Sequence, residues 1–249
     1  MRAICDLRRG NERKRLGLVA KVTLFACLIW GLRFVPSGCL AVYPGPVMNL
    51  SAVIEITEYP PRDCSFYMVS VLAEDASMFE CIFAALDGKI GLWSKSQVFG
   101  EMQPEEYMEK SLQAMAESQR IATYVALMAK GIDVPEKESL PIQVVSYTNN
   151  VAGPSAGLAF ALEIANRIGD DMIRGRRIAC TGALTIDGKV SAVGGIAQKT
   201  IACEEEGIEI FLVPKDNYDE AVRFSHSLKV VGVSSLEEAI EVLTYDVNP

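Results

Sequence analysis

The chain has 249 residues, half of them apolar and 22% charged, which suffices to bury the core of one large or two small domains. Ordinary glycine and proline content excludes bulk disorder. The net charge of −8 is unevenly spread: residues 1–21 hold Arg2, Arg8, Arg9, Arg13, Lys14, Arg15 and Lys21 against Asp6 and Glu12, a balance of +5 that leaves −13 on the rest. A body this acidic lacks the clustered positive field of a nucleic-acid surface.

The basic head runs into the uncharged segment Val22–Leu32, VTLFACLIWGL. Basic residues followed by apolar ones are the layout of a secretory signal or a signal anchor. With Lys21 and Arg33 snorkelling, the segment extends to residues 16–35, close to the ~20 residues that a membrane span requires. The basic end belongs on the cytoplasmic side, which leaves the body extracytoplasmic, either anchored or secreted after signal cleavage. A buried core helix is the alternative. Seven cysteines include no C-x-x-C pair, so neither a zinc site nor a dense disulfide framework is indicated. They read as buried thiols, with Cys64–Cys81 a candidate disulfide if the body is exported.

Beyond the head, Pro44-Gly45-Pro46 predicts a turn that leads into a strand near Ala52–Thr57. CSFYMVSVLAED predicts a second strand, and MFECIFAALDGKIGLWSKSQVF is open between strand and helix, with a break at Asp87-Gly88. From Pro104 to Gly131 the pattern is helical, and Met108, Leu112, Met115, Ile121, Val125 and Met128 form one apolar stripe expected to face the core. Gly131–Ser139 reads as a linker. Then come strand Ile142–Tyr147, a Gly-Pro-Ser-Ala-Gly turn, helix Ala156–Ile168 and strand Arg177–Thr181. LTIDGKVSAV predicts a hairpin with a two-residue type I′ turn at Asp187-Gly188. Helix Ile196–Glu206, strand Glu209–Val213, a short helix over NYDEAVRF and strand Lys229–Val233 follow, with Ser235 and Glu238 forming a capping box for the last helix.

The chemistry is bounded first by what the sequence does not contain. There is a single histidine, His226, in a segment that reads as surface, so a Ser-His-Asp triad has little to be built from. No phosphate loop of the G-x-x-x-x-G-K-[ST] type, no G-x-G-x-x-G and no metal-spaced ligand cluster is present, and neither a metal nor a cofactor is expected. A serine hydroxyl is a weak nucleophile until a base removes its proton, and without histidine the usual substitute is a lysine kept neutral by burial. Ser155, in Gly153-Pro154-Ser155-Ala156-Gly157, stands where it could cap a helix or be presented at its N-terminus, among backbone N–H groups able to stabilise an oxyanion. Glycine at both 153 and 157 is costly at a helix start unless close backbone approach requires it. Lys199 has Ile196, Ala202 and Cys203 as helical neighbours, so it is either buried with a lowered pKa or snorkels from a helix edge.

GPSAGLAFALEIANRI, IACTGALTIDGKVSAVGGIAQKTIACEEEGI and IFLVPKDNYDEA together resemble the proteolytic domain of Lon-type serine proteases (peptidase family S16) over about Leu140–Leu243. That family carries a Pro-Ser-Ala-Gly serine and a later lysine in a Gly-Gly-x-x-x-Lys segment, which correspond to Ser155 and Lys199. The resemblance implies that Ser155 is the nucleophile and Lys199 the general base. It further implies that Thr181 supports the lysine, and that backbone N–H groups around Gly153, Pro154 and Ser155 form the oxyanion hole. Ala152 stands where an aspartate often precedes the motif, and Ala183 where a glutamate often follows Thr-Gly. The head, YPGPVMNL and the long Glu/Gln-containing helix are similar to the YlbL-type membrane-anchored Lon-like proteins, with only Gly131–Ser139 at the point where those carry a PDZ domain.

The expected fold is α+β, the Lon proteolytic fold related to domain 2 of ribosomal protein S5. It should comprise a head and anchor over 1–45, a strand/helix region over 46–135 and the proteolytic domain over 136–249. The expected function is a serine endopeptidase, without an AAA+ ATPase of its own, acting at the membrane's outer face on unfolded, membrane or secreted proteins. The membrane would be engaged through residues 16–35, and a homo-oligomer, hexameric by analogy, is expected. The alternatives are a catalytically silent assembly or binding module and a protease subunit driven by a separate ATPase.

Overall fold

A computed structural model describes residues 2–134, 140, 142, 144–146 and 151–245. Helix α1 (Arg2–Gly31) leads through a 3₁₀ turn into β1 (Pro36–Asn49), β2 (Ile54–Ile56) and β3 (Tyr67–Ser77). Next come α2 (Met78–Asp87), β4 (Gly91–Ser94), α3 (Lys95–Phe99), α4 (Pro104–Ala129) and β5 (Val144–Ser146). A 3₁₀ turn at Pro154–Ala156 opens α5 (Gly157–Ile168), followed by β6 (Ile178–Cys180), β7 (Ala183–Leu184), β8 (Val190–Ser191) and α6 (Ile196–Glu205). The chain closes with β9 (Ile210–Pro214), α7 (Tyr218–Phe224), β10 (Lys229–Val233) and α8 (Leu236–Tyr245).

The architecture is α+β. One six-stranded sheet has the order β10-β9-β6-β3-β1-β4, with β10, β9, β6 and β3 parallel and β1 antiparallel to both its neighbours. This sheet crosses the boundary expected at 135/136, because β1, β3 and β4 precede it and β6, β9 and β10 follow. Successive side chains on a strand point to opposite faces. Ile178 and Cys180 of β6 and Leu212 of β9 therefore join a core with α4, α5 and α8, whereas Ala179, Phe211 and Val213 join a second core with α6 and α7. Both faces are covered, which is why these strands read as continuous apolar runs.

Helix α5 is buried on every side from Gly157 to Arg167. Phe160, Leu162 and Ile164 are fully buried, each contributing roughly 1.5–3 kcal/mol. Its polar residues are satisfied internally in part. Glu163 accepts the Phe66 N–H at 2.9 Å and pairs with Arg167 Nε at 2.7 Å, and Asn166 Oδ1 accepts the Met172 N–H. Neither terminal nitrogen of Arg167 has a hydrogen-bond partner among the described residues.

Several expectations are corrected. The turn at Pro44–Pro46 is part of β1, with a register shift between Pro44 and Val47. Strand β4 pairs only with Cys39–Val42, so beyond Val42 that edge of β1 has no strand partner among the described residues, a place where a proline is tolerated. A side chain at Gly45 would strike the Ser70 backbone at 2.6 Å. The ambiguous segment resolves into α2, β4 and α3, divided where Gly88 adopts a left-handed C-cap. In α4, Met108, Leu112 and Met128 are exposed; the buried face is Met115, Ser118, Ala122, Val125 and Ala126, whose small residues let α4 approach α5. The hairpin turn is not type I′: β7 and β8 are joined through Thr185–Lys189, and Gly188 alone has positive φ where both central residues would need it. The last helix is capped by Ser235, but Glu238 reaches the N–H of Ser234 rather than that of Ser235. Cys64 and Cys81 are free thiols. Of the linker expected over Gly131–Ser139, residues 135–139 lie outside the described residues, as does Tyr147.

The Glu163–Arg167 pair generates a stability prediction. Glu163→Ala leaves a buried guanidinium uncompensated and should cost about 3–5 kcal/mol in urea denaturation. Glu163→Ala/Arg167→Met should recover part of that loss; a double variant as unstable as the single one would contradict the account.

Candidate active site

Two glycines and two carbonyl contacts set the position of Ser155. Gly153 has φ 94° and ψ 161°, a conformation that side-chain-bearing residues rarely adopt. Its N–H donates to Ser111 O at 2.9 Å, and Ser118 Oγ donates to Pro154 O at 3.1 Å, so α4 holds the turn at two points. Gly157 is required by packing, since a Cβ there would lie 2.8 Å from Ser118 Oγ. Beyond the serine, Ser155 O accepts the Gly182 N–H at 2.7 Å and the Thr181 hydroxyl at 3.1 Å. The nucleophile candidate is thereby fixed to α4 on one side and to the end of β6 on the other.

Lys199 comes from the opposite direction. Gly195, in the left-handed conformation, starts α6, and a Cβ there would meet Val71 Cγ1 at 2.8 Å. The lysine lies one turn into the helix and is 3% exposed, so its ammonium cannot snorkel. It donates to Thr181 Oγ1 at 3.1 Å. Burial pulls its pKa down to about 8, with the Cys203 thiol one turn on opposing the shift slightly. Thr181 is therefore the link, receiving the lysine's proton donor and passing its own to the carbonyl of Ser155.

Ser155 and Lys199 open on one cavity of about 420 Å³, walled by Val69 and Val71 of β3, Trp93 and Tyr107. A second hollow of about 430 Å³ continues it past Trp93 and Tyr107 to Leu40, Ala73 and Met108. The wall between them is a strand edge. On its β6 side β3 pairs only through Tyr67 and Met68, and no other strand takes up that edge among the described residues.

The sequence-derived candidates thus divide. Ser155, Lys199 and Thr181 converge. Gly153 supplies the turn, but its N–H is taken by Ser111 and Pro154 has none, which leaves the N–H of Ser155 as the candidate oxyanion donor from that trio. Ala152 lines the cavity without bringing a charge to it. His226 is exposed and bound to Glu204 at 3.0 Å, and it lines neither cavity. Trp93, Tyr107, Ser118 and the β3 edge were not anticipated; they reach the site from 37–88 residues away in sequence, and no local pattern marks them.

A family model described as the Lon protease (S16) C-terminal proteolytic domain matches residues 95–246, more than half of the chain. The chain belongs to this family. Lon protease from Mesomycoplasma hyopneumoniae is 36% identical over 121 residues, covering 47% of this chain and 14% of that one. Those from Xanthomonas oryzae pv. oryzae (32% over 118 residues; 45% and 14%) and Campylobacter concisus (30% over 114 residues; 44% and 14%) are similar. The chain therefore spans about 14% of the length of these relatives.

The burial of Lys199 has a thermodynamic consequence. Its folded pKa of about 8 lies below the ordinary 10.5, so between those values the unfolded chain binds more protons and stability rises with pH. Below pH 8 the penalty, roughly 3 kcal/mol, is present in full. Lys199→Met should be more stable than wild type at pH 7, and the difference should shrink by pH 10 in denaturant titrations. A difference independent of pH would show an unperturbed lysine.

Proposed function

We propose that the chain is a serine endopeptidase in which Ser155 and Lys199 form the nucleophile–base pair. The observation that carries this reading is the dehydrated amine of Lys199 opening on the same cavity as a serine at a helix start, with Thr181 bonded to both segments. A lysine with a pKa near 8 is partly neutral at working pH, which a general base must be. The Ser155 hydroxyl attacks the scissile carbonyl while its proton passes to Lys199 Nζ. The N–H of Ser155 faces the developing oxyanion, at a helix N-terminus whose dipole favours negative charge. The lysine then protonates the leaving amine as the C–N bond breaks. In the second half-reaction it takes a proton from water, which attacks the acyl-serine, and returns that proton to Ser155 Oγ as the ester C–O bond breaks, releasing the new carboxyl group and restoring the neutral amine. Thr181 keeps the amine aimed and accepts its hydrogen bond throughout.

The substrate is an extended polypeptide. The unpaired edge of β3 presents backbone groups beside Ser155, as a peptide added as a further strand requires, and apolar walls favour apolar side chains. Residues 17–34 are the membrane anchor. They form the one stretch, among the described residues, long and apolar enough to span, and they are wholly unburied, which disfavours a core helix. With the basic head inside, the protease body lies on the outer face, as in the YlbL-type arrangement, and acts on membrane or secreted proteins. The active form is a homo-oligomer, hexameric by analogy with Lon.

Ser155→Ala and Lys199→Ala should each abolish cleavage of an unfolded protein such as casein while leaving the chain folded. A fluorophosphonate should label Ser155 in wild type and not in Ser155→Ala. The ascending limb of kcat/KM should have its midpoint near pH 8, and Thr181→Val should displace it, the amine having lost its acceptor. Wild-type cleavage by Ser155→Ala would refute the pair.

A further inference from the structure

Helix α2 carries an apolar face that nothing among the described residues covers. Met78, Ile82, Phe83 and Leu86 fall within one arc of the helix, and Ile82 is 50% and Leu86 81% exposed. Ala84, on the opposite side, is the helix's buried residue, and Glu80 is spent on a capping box with Ser77. A large exposed apolar arc on a short, well-capped helix is a contact surface rather than a stray surface residue.

Its position names the occupant. The Met78 N–H donates to Val35 O at 2.8 Å, so α2 starts where the apolar segment 17–34 ends. Phe79 shares one groove of about 360 Å³ with Val22, Phe25, Ile29 and Trp30 of α1. Phe79 in turn stacks on Phe83, with ring centroids 6.3 Å apart. If 17–34 is in the bilayer, that groove runs from acyl depth up to Arg33, which also lines it, and the face of α2 continues it. Phe34 and Val35, also exposed, extend the apolar surface between the two helices, and Trp30 packs edge-on against Phe34 as aromatic residues do at membrane boundaries. Arg33 lines the same groove as Phe79 of the first turn of α2, where a snorkelling charge would mark the headgroups.

We propose that α2 is an interfacial helix, its Met78/Ile82/Phe83/Leu86 face seated in the outer leaflet at the headgroup–acyl boundary. The inference rests on the reading of 17–34 as a membrane span. A ten-residue helix adds only modest affinity; its effect is orientational, because a single span lets the body swivel and tilt, whereas a span plus a surface helix fixes the body against the membrane.

The test uses the full chain in vesicles of phosphatidylcholine and phosphatidylglycerol that contain a phosphatidylcholine with a diazirine in its acyl chain. After irradiation, adducts are mapped by mass spectrometry. Adducts on both 17–34 and 78–87 are expected. The Ile82→Glu/Leu86→Glu variant should lose those on 78–87, keep those on 17–34 and retain fluorophosphonate labelling of Ser155. Adducts on 17–34 alone overturn the interfacial helix and leave the anchor standing, and protein–protein crosslinks through 78–87 without lipid adducts overturn it in favour of a second copy. No adduct on 17–34 overturns the anchor and this inference with it.

Discussion

An amine held out of water is the constraint that organises this structure. Burying Lys199 disfavours its charged form, and the fold accepts that cost because α6 is clamped where the amine has one polar partner, Thr181. The clamp has several parts. Gly195 lets α6 start against Val71, Gln198 ties the helix to the Lys89 carbonyl, and Asn217 accepts the Val193 N–H just ahead of it. Without these, a lysine one turn into a helix would extend its four carbons to solvent and keep its ordinary pKa. The reactivity proposed for the site is stored in the docking of α6, not in the lysine itself.

The serine side shows the same economy. Thr181 sits at the end of β6 and receives the lysine's bond while giving one to the carbonyl of Ser155, so a displacement of either segment is felt by the other. Gly182 doubles that tie through its own N–H, and α4 anchors the other flank through Ser111 and Ser118. A serine so fixed needs no side-chain partner to hold its backbone in place. Thr181, bonded to Lys199 and to the Ser155 carbonyl, is what couples the two segments.

What the sequence disclosed and what it withheld follow from range. Glycines, proline and helical spacing, all local signals, marked Ser155 and Lys199 as candidates while leaving a cap and a snorkelling lysine open, and it was the family resemblance that paired them. The strands from Ile178 onward were legible from such local signals, as brief apolar runs bounded by turn residues. The proline turn in β1 was misread because a strand edge that needs no N–H looks, residue by residue, like a turn. The α4 stripe was misread because helical periodicity finds apolar faces without saying what lies opposite; Met108 lines the cleft and Leu112 and Met128 face outward, while Ser118 faces the core. Trp93 and Tyr107 carry no local mark at all, since only the sheet order β3-β1-β4 brings the first beside Ser155 and only the packing of α4 brings the second.

In the proposed arrangement that sheet order also relates the cleft to the membrane. Strand β3 lines the cavity of Ser155 and Lys199 through Met68–Leu72 and ends at Ser77, the N-cap of α2. From Val71 to Ser77 is six residues, which at a strand's rise is about 20 Å. With α2 in the outer leaflet, β3 becomes a strut of fixed length between bilayer and nucleophile. A polypeptide lying along its open edge would then present to Ser155 a bond some 20 Å from the headgroups, six or so extended residues beyond its own point of exit. On that proposal soluble chains would gain nothing from such a strut, whereas membrane-tethered chains would be held in register by it. Geometry of this kind would select substrates by where they are cut relative to the membrane, and would leave the apolar walls of the cleft to select by side chain.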